Sequence, residues 1–301
     1  MITPPFLRPG DTIGITAPAG WLSEAEILKG VELFQSWDLK VIYGKHLFGK
    51  KNSFAGTDEE RAGDFQQMLD NKEVRAIICA RGGYGSVRMI GQLNFSTFIK
   101  HPKWIVGFSD ITVIHSCLQQ CIQTESIHGI MPRIKGNRDP DLVSFDSLRS
   151  VLFGETTSYT IPGFSRNKTG SASGILTGGN LSVLFSIAGS RYEPETDGRI
   201  LFIEDVDEYL YHIDRMIMNL RIRNKLKDLN GLIIGGMNQM KISSSGFRLP
   251  VHKIILDAVA EYDFPVMFGF PAGHGTPNLS LILGRETEMI VGKKECRVVF
   301  K

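Results

Sequence analysis

The chain has 301 residues, of which 42% are apolar and 22% are charged. At roughly 100–200 residues per domain, this length predicts two domains or one large one, with a sizeable core. Lys and Arg number 34 against 32 Asp and Glu, which is too balanced to indicate nucleic acid or an anionic membrane as the partner. No apolar run approaches a membrane span, and no signal peptide is visible, so we expect a cytoplasmic protein.

Residues 1–133 alternate between strand-like and helix-like stretches, which predicts an α/β domain with a parallel sheet covered on both faces. Short apolar runs predict strands at residues 12–16, 40–43, 75–80, 104–106 and 126–130. Apolar residues at helical spacing predict helices over residues 24–37, after the capping box at 57–60, and over residues 110–121.

Residues 134–172 are richer in polar residues, Gly and Ser, and their periodicity fades apart from a short helix near 145–153. We interpret this stretch as the connection to a second domain at residues 173–301. There the pattern predicts strands at 199–203, 232–234 and 265–268, and helices after residue 180, around 213–220 and over 251–262. Residues 279–301 alternate as two or three antiparallel strands would.

The first candidate for chemistry is Ser109, in the run Gly107-Phe108-Ser109-Asp110. It follows a predicted strand directly and precedes a predicted helix, so it lies at the edge where open α/β sheets bind ligands. The N–H groups of the following helix would stabilise an oxyanion there. Two interpretations stay open, because Ser-Asp is also ordinary helix-capping chemistry.

A glycine-rich loop, residues 81–85, follows another predicted strand. Glycines let the backbone approach a ligand and present free N–H groups to it. The loop lacks the spacing of nucleotide-binding motifs, so a phosphate-binding role is weakly indicated, and an ordinary turn remains an alternative.

An acid and a base come from the second half of the chain. Glu204 ends the strand RILFI and could be buried and orient a histidine, whereas Asp205, Asp207 and Glu208 are expected as exposed or helix-terminal charges. His274 lies between two glycines in a loop after a strand and could act as general base, although a lone loop histidine is often merely exposed. Sequence spacing alone does not show that serine, acid and histidine meet.

The four cysteines are expected as free thiols in a reducing compartment; they are Cys79, Cys117, Cys121 and Cys296. A zinc site at Cys117 and Cys121 would need two further ligands, and the nearby His115 and His128 form no known pattern with them. A metal bound by the acidic run at 204–208 is a further, weaker alternative.

Taken in order, six motifs resemble those of the LD-carboxypeptidase family of serine peptidases, which includes the microcin C immunity-type peptidases. They are GDTIGITAPAG near the start, ARGGYGS at 80–86, GFSD at 107–110, TGGNLS at 177–182, LFIEDVDE at 201–208 and PAGHG at 271–275. They span nearly the whole chain. The sequence departs from the family at TPNLSLILGRE, which lacks the proline often found just before the residue equivalent to Gly284.

The resemblance implies a flavodoxin-like or amidotransferase-like N-terminal parallel-sheet domain and a smaller C-terminal β-containing domain, with the active site between them. It implies Ser109 as nucleophile, His274 as base and acid, and Glu204 as the orienting acid. The backbone N–H groups of Asp110 and Gly83 would form the oxyanion hole. The expected protein is a homodimer without a metal or cofactor.

The reaction implied is hydrolysis of an amide between an L-centre and a D-residue, foremost the release of terminal D-alanine from murein tetrapeptides in cell-wall recycling. Asn180 would help to hold the substrate, and Arg81 or another exposed basic residue would bind its free carboxylate. One alternative is the amide of a peptide–nucleotide antibiotic of the microcin C kind. A third is a non-enzymatic protein that binds murein fragments or a nucleotide.

Overall fold

The fold is built from two β-sheets with helices packed on them. The computed structural model describes residues 1–134, 136, 138–244 and 246–301. Its strands are β1 (Thr12–Thr16), β2 (Lys40–Tyr43), β3 (Val74–Cys79), β4 (Trp104–Gly107), β5 (Ser126–His128), β6 (Ser158–Pro162), β7 (Gly170–Asn180), β8 (Ile200–Val206), β9 (Gly231–Asn238), β10 (Val266–Phe268), β11 (Leu281–Leu283), β12 (Glu286–Val291) and β13 (Glu295–Phe300). Its α-helices are α1 (Leu28–Ser36), α2 (Asp58–Asp70), α3 (Ser86–Met89), α4 (Ser96–Lys100), α5 (Thr112–Cys117), α6 (Leu142–Leu152), α7 (Leu181–Ser186), α8 (Leu210–Ile222) and α9 (Val251–Ala258).

The first sheet has the strand order β11-β5-β4-β3-β1-β2, and the five strands from the N-terminal half are parallel. Strands β3 and β4 are buried almost throughout, as expected for parallel strands covered on both faces. The predicted α/β sheet is confirmed. Its sixth strand, β11, comes from the end of the chain and pairs antiparallel with β5.

The second sheet has seven strands in the order β10-β9-β8-β7-β12-β13-β6. The first four are parallel and the last three antiparallel, so the predicted C-terminal antiparallel strands are confirmed at β12 and β13. The sequence pattern missed β6 and β7. The first residues of β7, GSASG, are small and mostly exposed, so they lack the apolar alternation that marks a strand.

One apolar cluster contains side chains from both sheets, among them Ile15, Val106, Phe202 and Ile233. Helix α6 joins the same cluster through Phe145, whose ring packs edge-on against Phe34. The predicted helix in the connection at 134–172 is therefore part of the core. The division of the chain into domains 1–133 and 173–301 stays a prediction, and β11 crosses it by adding to the first sheet.

The four cysteines are free thiols, with Cys79, Cys117 and Cys296 buried and Cys121 exposed. Within the described ranges, no helix has the length and apolar character needed to cross a membrane.

The ion pair between Arg285 and Glu125 generates a stability prediction. Arg285 Nε and Nη2 donate to the two carboxylate oxygens of Glu125 at 2.7 and 2.6 Å, and both side chains are largely buried. Arg285→Ala leaves the carboxylate unpaired, so we expect the free energy of unfolding in urea to fall by about 3 kcal/mol. The double variant Arg285→Met, Glu125→Gln should recover part of that loss, and an equal loss in both variants would contradict the argument.

Candidate active site

Ser109 lies at a strained turn between a strand and a helix. Strand β4 ends at Gly107, Phe108 is extended, and Ser109 has φ +64°, in the left-handed region that side-chain-bearing residues rarely adopt. Phe108, and not the serine, is the N-cap of the short 3₁₀-helix Ser109–Ile111. The Oγ of Ser109 lies 3.1 Å from His274 Nε2. The geometry thus favours a presented nucleophile over a helix cap.

His274 is oriented by the fully buried carboxylate of Glu204 in β8. Glu204 Oε2 lies 2.8 Å from His274 Nδ1 and also accepts the backbone N–H of His274 at 3.2 Å. Because a carboxylate faces Nδ1, the neutral ring carries its proton there, and Nε2 is left to accept the proton of Ser109.

The pKa of His274 is set by opposing effects. Burial lowers it, but the hydrogen bond and negative charge of Glu204, together with the charge of Asp205, outweigh burial and raise the pKa above its ordinary value. The ring of Phe108 packs edge-on against the imidazole, with 5.0 Å between centroids. The imidazole of His274 is therefore in contact with the carboxylate of Glu204 on one side and with the ring of Phe108 on another.

Asn180 contacts the carboxylate of Glu204 through its side-chain amide. Its side chain is buried, and Nδ2 donates to Glu204 Oε1 at 3.2 Å and to Asp205 Oδ1 at 3.1 Å. Its Oδ1 accepts the N–H of Val183 and caps α7. Asn180 is not among the residues that line the cleft over Ser109, and the substrate-holding role that the resemblance implies for it stays a prediction.

Asp205 corrects a sequence expectation. The sequence predicts an exposed or helix-terminal charge there, but Asp205 is buried and accepts the N–H and the hydroxyl of Ser182 at 2.9 and 2.6 Å. Burial raises its pKa. No sequence signal distinguishes it from the other acids of the run. Among the described residues, no group of three His, Cys, Asp or Glu side chains is arranged to hold a metal ion.

The glycine-rich loop lies against the serine turn, because β3 and β4 are neighbours whose carboxyl ends meet. A Cβ built on Gly82 would lie 2.9 Å from Ser109 Cβ and 3.5 Å from the backbone nitrogen of Asp110. In the described part of the chain, the N–H groups of Gly83 and Asp110 donate to no other protein group. The Asp110 carboxylate accepts the N–H of Ser86 at 2.8 Å and so fixes the start of α3.

A cleft of ≈ 530 Å³ opens over Ser109 and His274. That volume suits a short peptide. Its wall carries three arginines, Arg81, Arg133 and Arg138. Arg81 donates from Nη1 to the carbonyl of Trp21 and from Nε to that of Gly82. The sequence singled out Arg81 by its place beside the glycines, but it gave no signal for Arg133.

Acyl transfer through a serine is the chemistry that this geometry can perform. A base within reach of the hydroxyl, a buried acid that fixes the base, and unused backbone donors beside the nucleophile are the parts that such a reaction requires. The protein is thus of the serine hydrolase class.

Comparison with known families makes the class specific. Residues 13–129 match the model of the LD-carboxypeptidase N-terminal domain, and residues 173–289 match that of the LD-carboxypeptidase C-terminal domain. The chain belongs to the LD-carboxypeptidase family of serine peptidases, which confirms the resemblance seen in the six motifs.

Individual relatives are similar over nearly their whole length. The chain is 33% identical to a probable murein peptide carboxypeptidase of Bacillus subtilis, covering 97% of this chain and 92% of that one. It is 28% identical to the microcin C7 self-immunity protein MccF of Escherichia coli, covering 92% and 90%. The crystal structure of muramoyltetrapeptide carboxypeptidase from Oxalobacter formigenes shares the fold, with a TM-score of 0.85, 24% identity, and coverage of 96% and 98%.

Gly82 offers a test of the packing between the loop and the serine turn. Gly82→Ala would press its methyl group on Ser109, so we expect kcat/KM for peptide hydrolysis to fall about 10²-fold in a protein that still folds, as its circular dichroism would show. Gly91→Ala is the matched control, because a Cβ there meets nothing within 4 Å. If both variants keep wild-type activity, the loop does not constrain the nucleophile.

Asp205 offers a test of the charge around His274. Asp205→Asn removes a negative charge that raises the pKa of His274, so the neutral base should persist to lower pH. We expect the acidic limb of the kcat/KM profile to move to lower pH, with less than about a 10-fold loss at the plateau. Glu204→Gln, by contrast, should cost about 10⁴-fold, because it favours the wrong tautomer of the ring. An unmoved acidic limb in Asp205→Asn would refute the electrostatic role.

Proposed function

We propose that this protein is a serine LD-carboxypeptidase that releases the terminal D-alanine of murein tetrapeptides. The observation that carries the proposal is the continuous hydrogen-bonded chain Glu204–His274–Ser109 at the floor of a peptide-sized cleft. The murein substrate is supported by the relative from B. subtilis, whose name carries it, at 33% identity over nearly the full chain.

In the proposed reaction, Ser109 Oγ attacks the carbonyl of the L,D-amide while His274 Nε2 takes its proton. The N–H groups of Gly83 and Asp110 stabilise the oxyanion, each donor contributing about 3 kcal/mol to the transition state. His274 then protonates the amine of the leaving D-alanine. Water enters, His274 takes its proton, and the acyl-enzyme at Ser109 is hydrolysed.

We extend the proposal to the setting of the reaction. Four free thiols, one of them exposed, support a reducing compartment such as the cytoplasm, where recycled murein peptides would be cleaved.

The resemblance to the family supports a homodimer. Exposed apolar side chains such as Ile222 and Phe185 could form part of the dimer interface. Light scattering of the intact protein would test the dimer.

A peptide–nucleotide amide is the second candidate substrate, supported by the 28% identity to MccF. A nucleotide would need an aromatic or a basic pocket, and Arg81, Arg133 and Arg138 make the wall of the cleft basic. Phe108 is the one phenyl, phenol or indole ring lining the described part of the cleft, and it already packs on His274. The preference for the murein peptide therefore rests on the relative from B. subtilis, at 33% identity.

Mass spectrometry of a murein tetrapeptide incubated with the protein tests the proposal. The wild type should remove one D-alanine in excess chelator, and Ser109→Ala should lose at least about 10³-fold in kcat while keeping its fold. Full activity of Ser109→Ala would refute the serine mechanism. Cleavage of a peptidyl-sulfamoyl nucleoside, with the tetrapeptide left intact, would select the second candidate instead.

A further inference from the structure

Two arginines lie near each other on the cleft wall, and one of them, Arg133, pairs with the carboxylate of Glu26. Arg133 contacts Glu26 Oε1 through Nε at 2.9 Å and through Nη2 at 2.6 Å. Arg81 lies close enough that burial and the charge of Arg133 both lower its pKa, while Glu26 opposes them. The three groups together carry an excess positive charge within a partly buried wall.

Arg81 is held in place by neutral acceptors. Its Nη1 donates to the carbonyl of Trp21 at 2.8 Å and its Nε to that of Gly82 at 3.0 Å. Its Nη2 has no hydrogen-bond partner among the described residues. A Cβ on Gly83 would lie 3.2 Å from this Nη2, so the free N–H groups of a fixed guanidinium lie beside a proposed oxyanion donor.

The other charged side chains of the cleft wall either pair with different groups or are exposed to solvent. Asp139 pairs with Lys29 at 3.1 Å, and Asp141 accepts the N–H of Ser144 at the start of α6. The side chain of Arg138 is exposed and makes no ion pair with a described residue. Arg81 is therefore the partly buried cation of the wall for which the described protein supplies no carboxylate of its own.

We propose that Arg81, with Arg133 and Glu26 holding the charge around it, binds the free C-terminal carboxylate of the leaving D-residue. The inference rests on the proposed function and adds the determinant of carboxypeptidase specificity. Only the amide nitrogen and Cα separate that carboxylate from the scissile carbonyl carbon, so it must bind within about 4 Å of the reacting atom. Arg81 lines the same cleft as Ser109, and its Nη2, which lies beside Gly83, keeps N–H groups free for a carboxylate.

A pair of substrates that differ only in this charge tests the inference. One is the tetrapeptide ending in D-alanine and the other its C-terminal amide. The wild type should prefer the carboxylate by at least about 10-fold in kcat/KM, as a hydrogen-bonded charge pair would give. Arg81→Gln should abolish that preference, mainly through the KM of the carboxylate substrate, whereas any loss that comes from its missing hydrogen bonds to Trp21 and Gly82 affects both substrates alike and cancels in the ratio. Arg81→Lys should keep part of the preference, because it keeps the charge and loses the fork.

Arg138→Gln is the matched control, since it removes a charge from the same cleft and should leave the preference intact. Equal losses on both substrates in Arg81→Gln would mean that Arg81 only supports the loop, and a preference that survives Arg81→Gln would equally overturn the inference.

If the wild type cleaves neither peptide, the proposed function fails, and calorimetry on Ser109→Ala then decides the subsite alone. Tighter binding of the carboxylate form that disappears in Ser109→Ala, Arg81→Gln would uphold the inference. Equal binding of the two peptides by Ser109→Ala would overturn it.

Discussion

The buried charge of Glu204 is the constraint on which the site depends. A carboxylate without solvent exposure is costly unless donors surround it. Here the backbone N–H and Nδ1 of His274 and the amide of Asn180 satisfy it. The same closeness requires glycine at 273, because a Cβ there would collide with the Glu204 carboxylate, and φ is +104°. Gly273 thus allows the Glu204 carboxylate to lie against the backbone next to His274.

The site also requires two sheets to meet, because Ser109 follows β4 of one and Glu204 lies in β8 of the other. A series of rings bridges them: Phe202 packs on His128 at 4.9 Å, His128 on Phe108 at 5.9 Å, and Phe108 on His274 at 5.0 Å. Burial, with the neighbouring His115 and His274, holds the pKa of His128 well below its ordinary value. His128 therefore remains neutral and packs as an aromatic ring between Phe202 and Phe108. Through these rings, His274 packs against a core to which both sheets contribute.

The sequence predicts those parts of this arrangement that depend on local order. Apolar runs followed by Gly, Ser or acidic residues mark strand ends, and they located Ser109 and the loop of Gly83. Pairing between strands that are distant in the chain has no comparable local pattern. Strand β11, for example, joins the first sheet by pairing with β5. The sequence also does not show which side chains are buried. Asp205 and Asp207 belong to the same acidic run, yet Asp205 is buried. Arg133 reaches Glu26 across 107 positions of the chain, and no local pattern indicates that contact.

The charges around Ser109 are arranged asymmetrically, and the asymmetry matches the reaction. On the side of His274 lie two carboxylates, Glu204 and Asp205, which would stabilise the imidazolium of the proposed reaction. On the opposite side lie the free N–H groups of the glycine loop and, in our proposal, Arg81, which favour negative charge on the oxyanion and on the leaving residue. A field fixed by buried groups does not reorganise during the reaction, so it stabilises charge separation more than water would. In the proposed reaction, Ser109 therefore lies between groups that stabilise the transferred proton and groups that stabilise the negative charge.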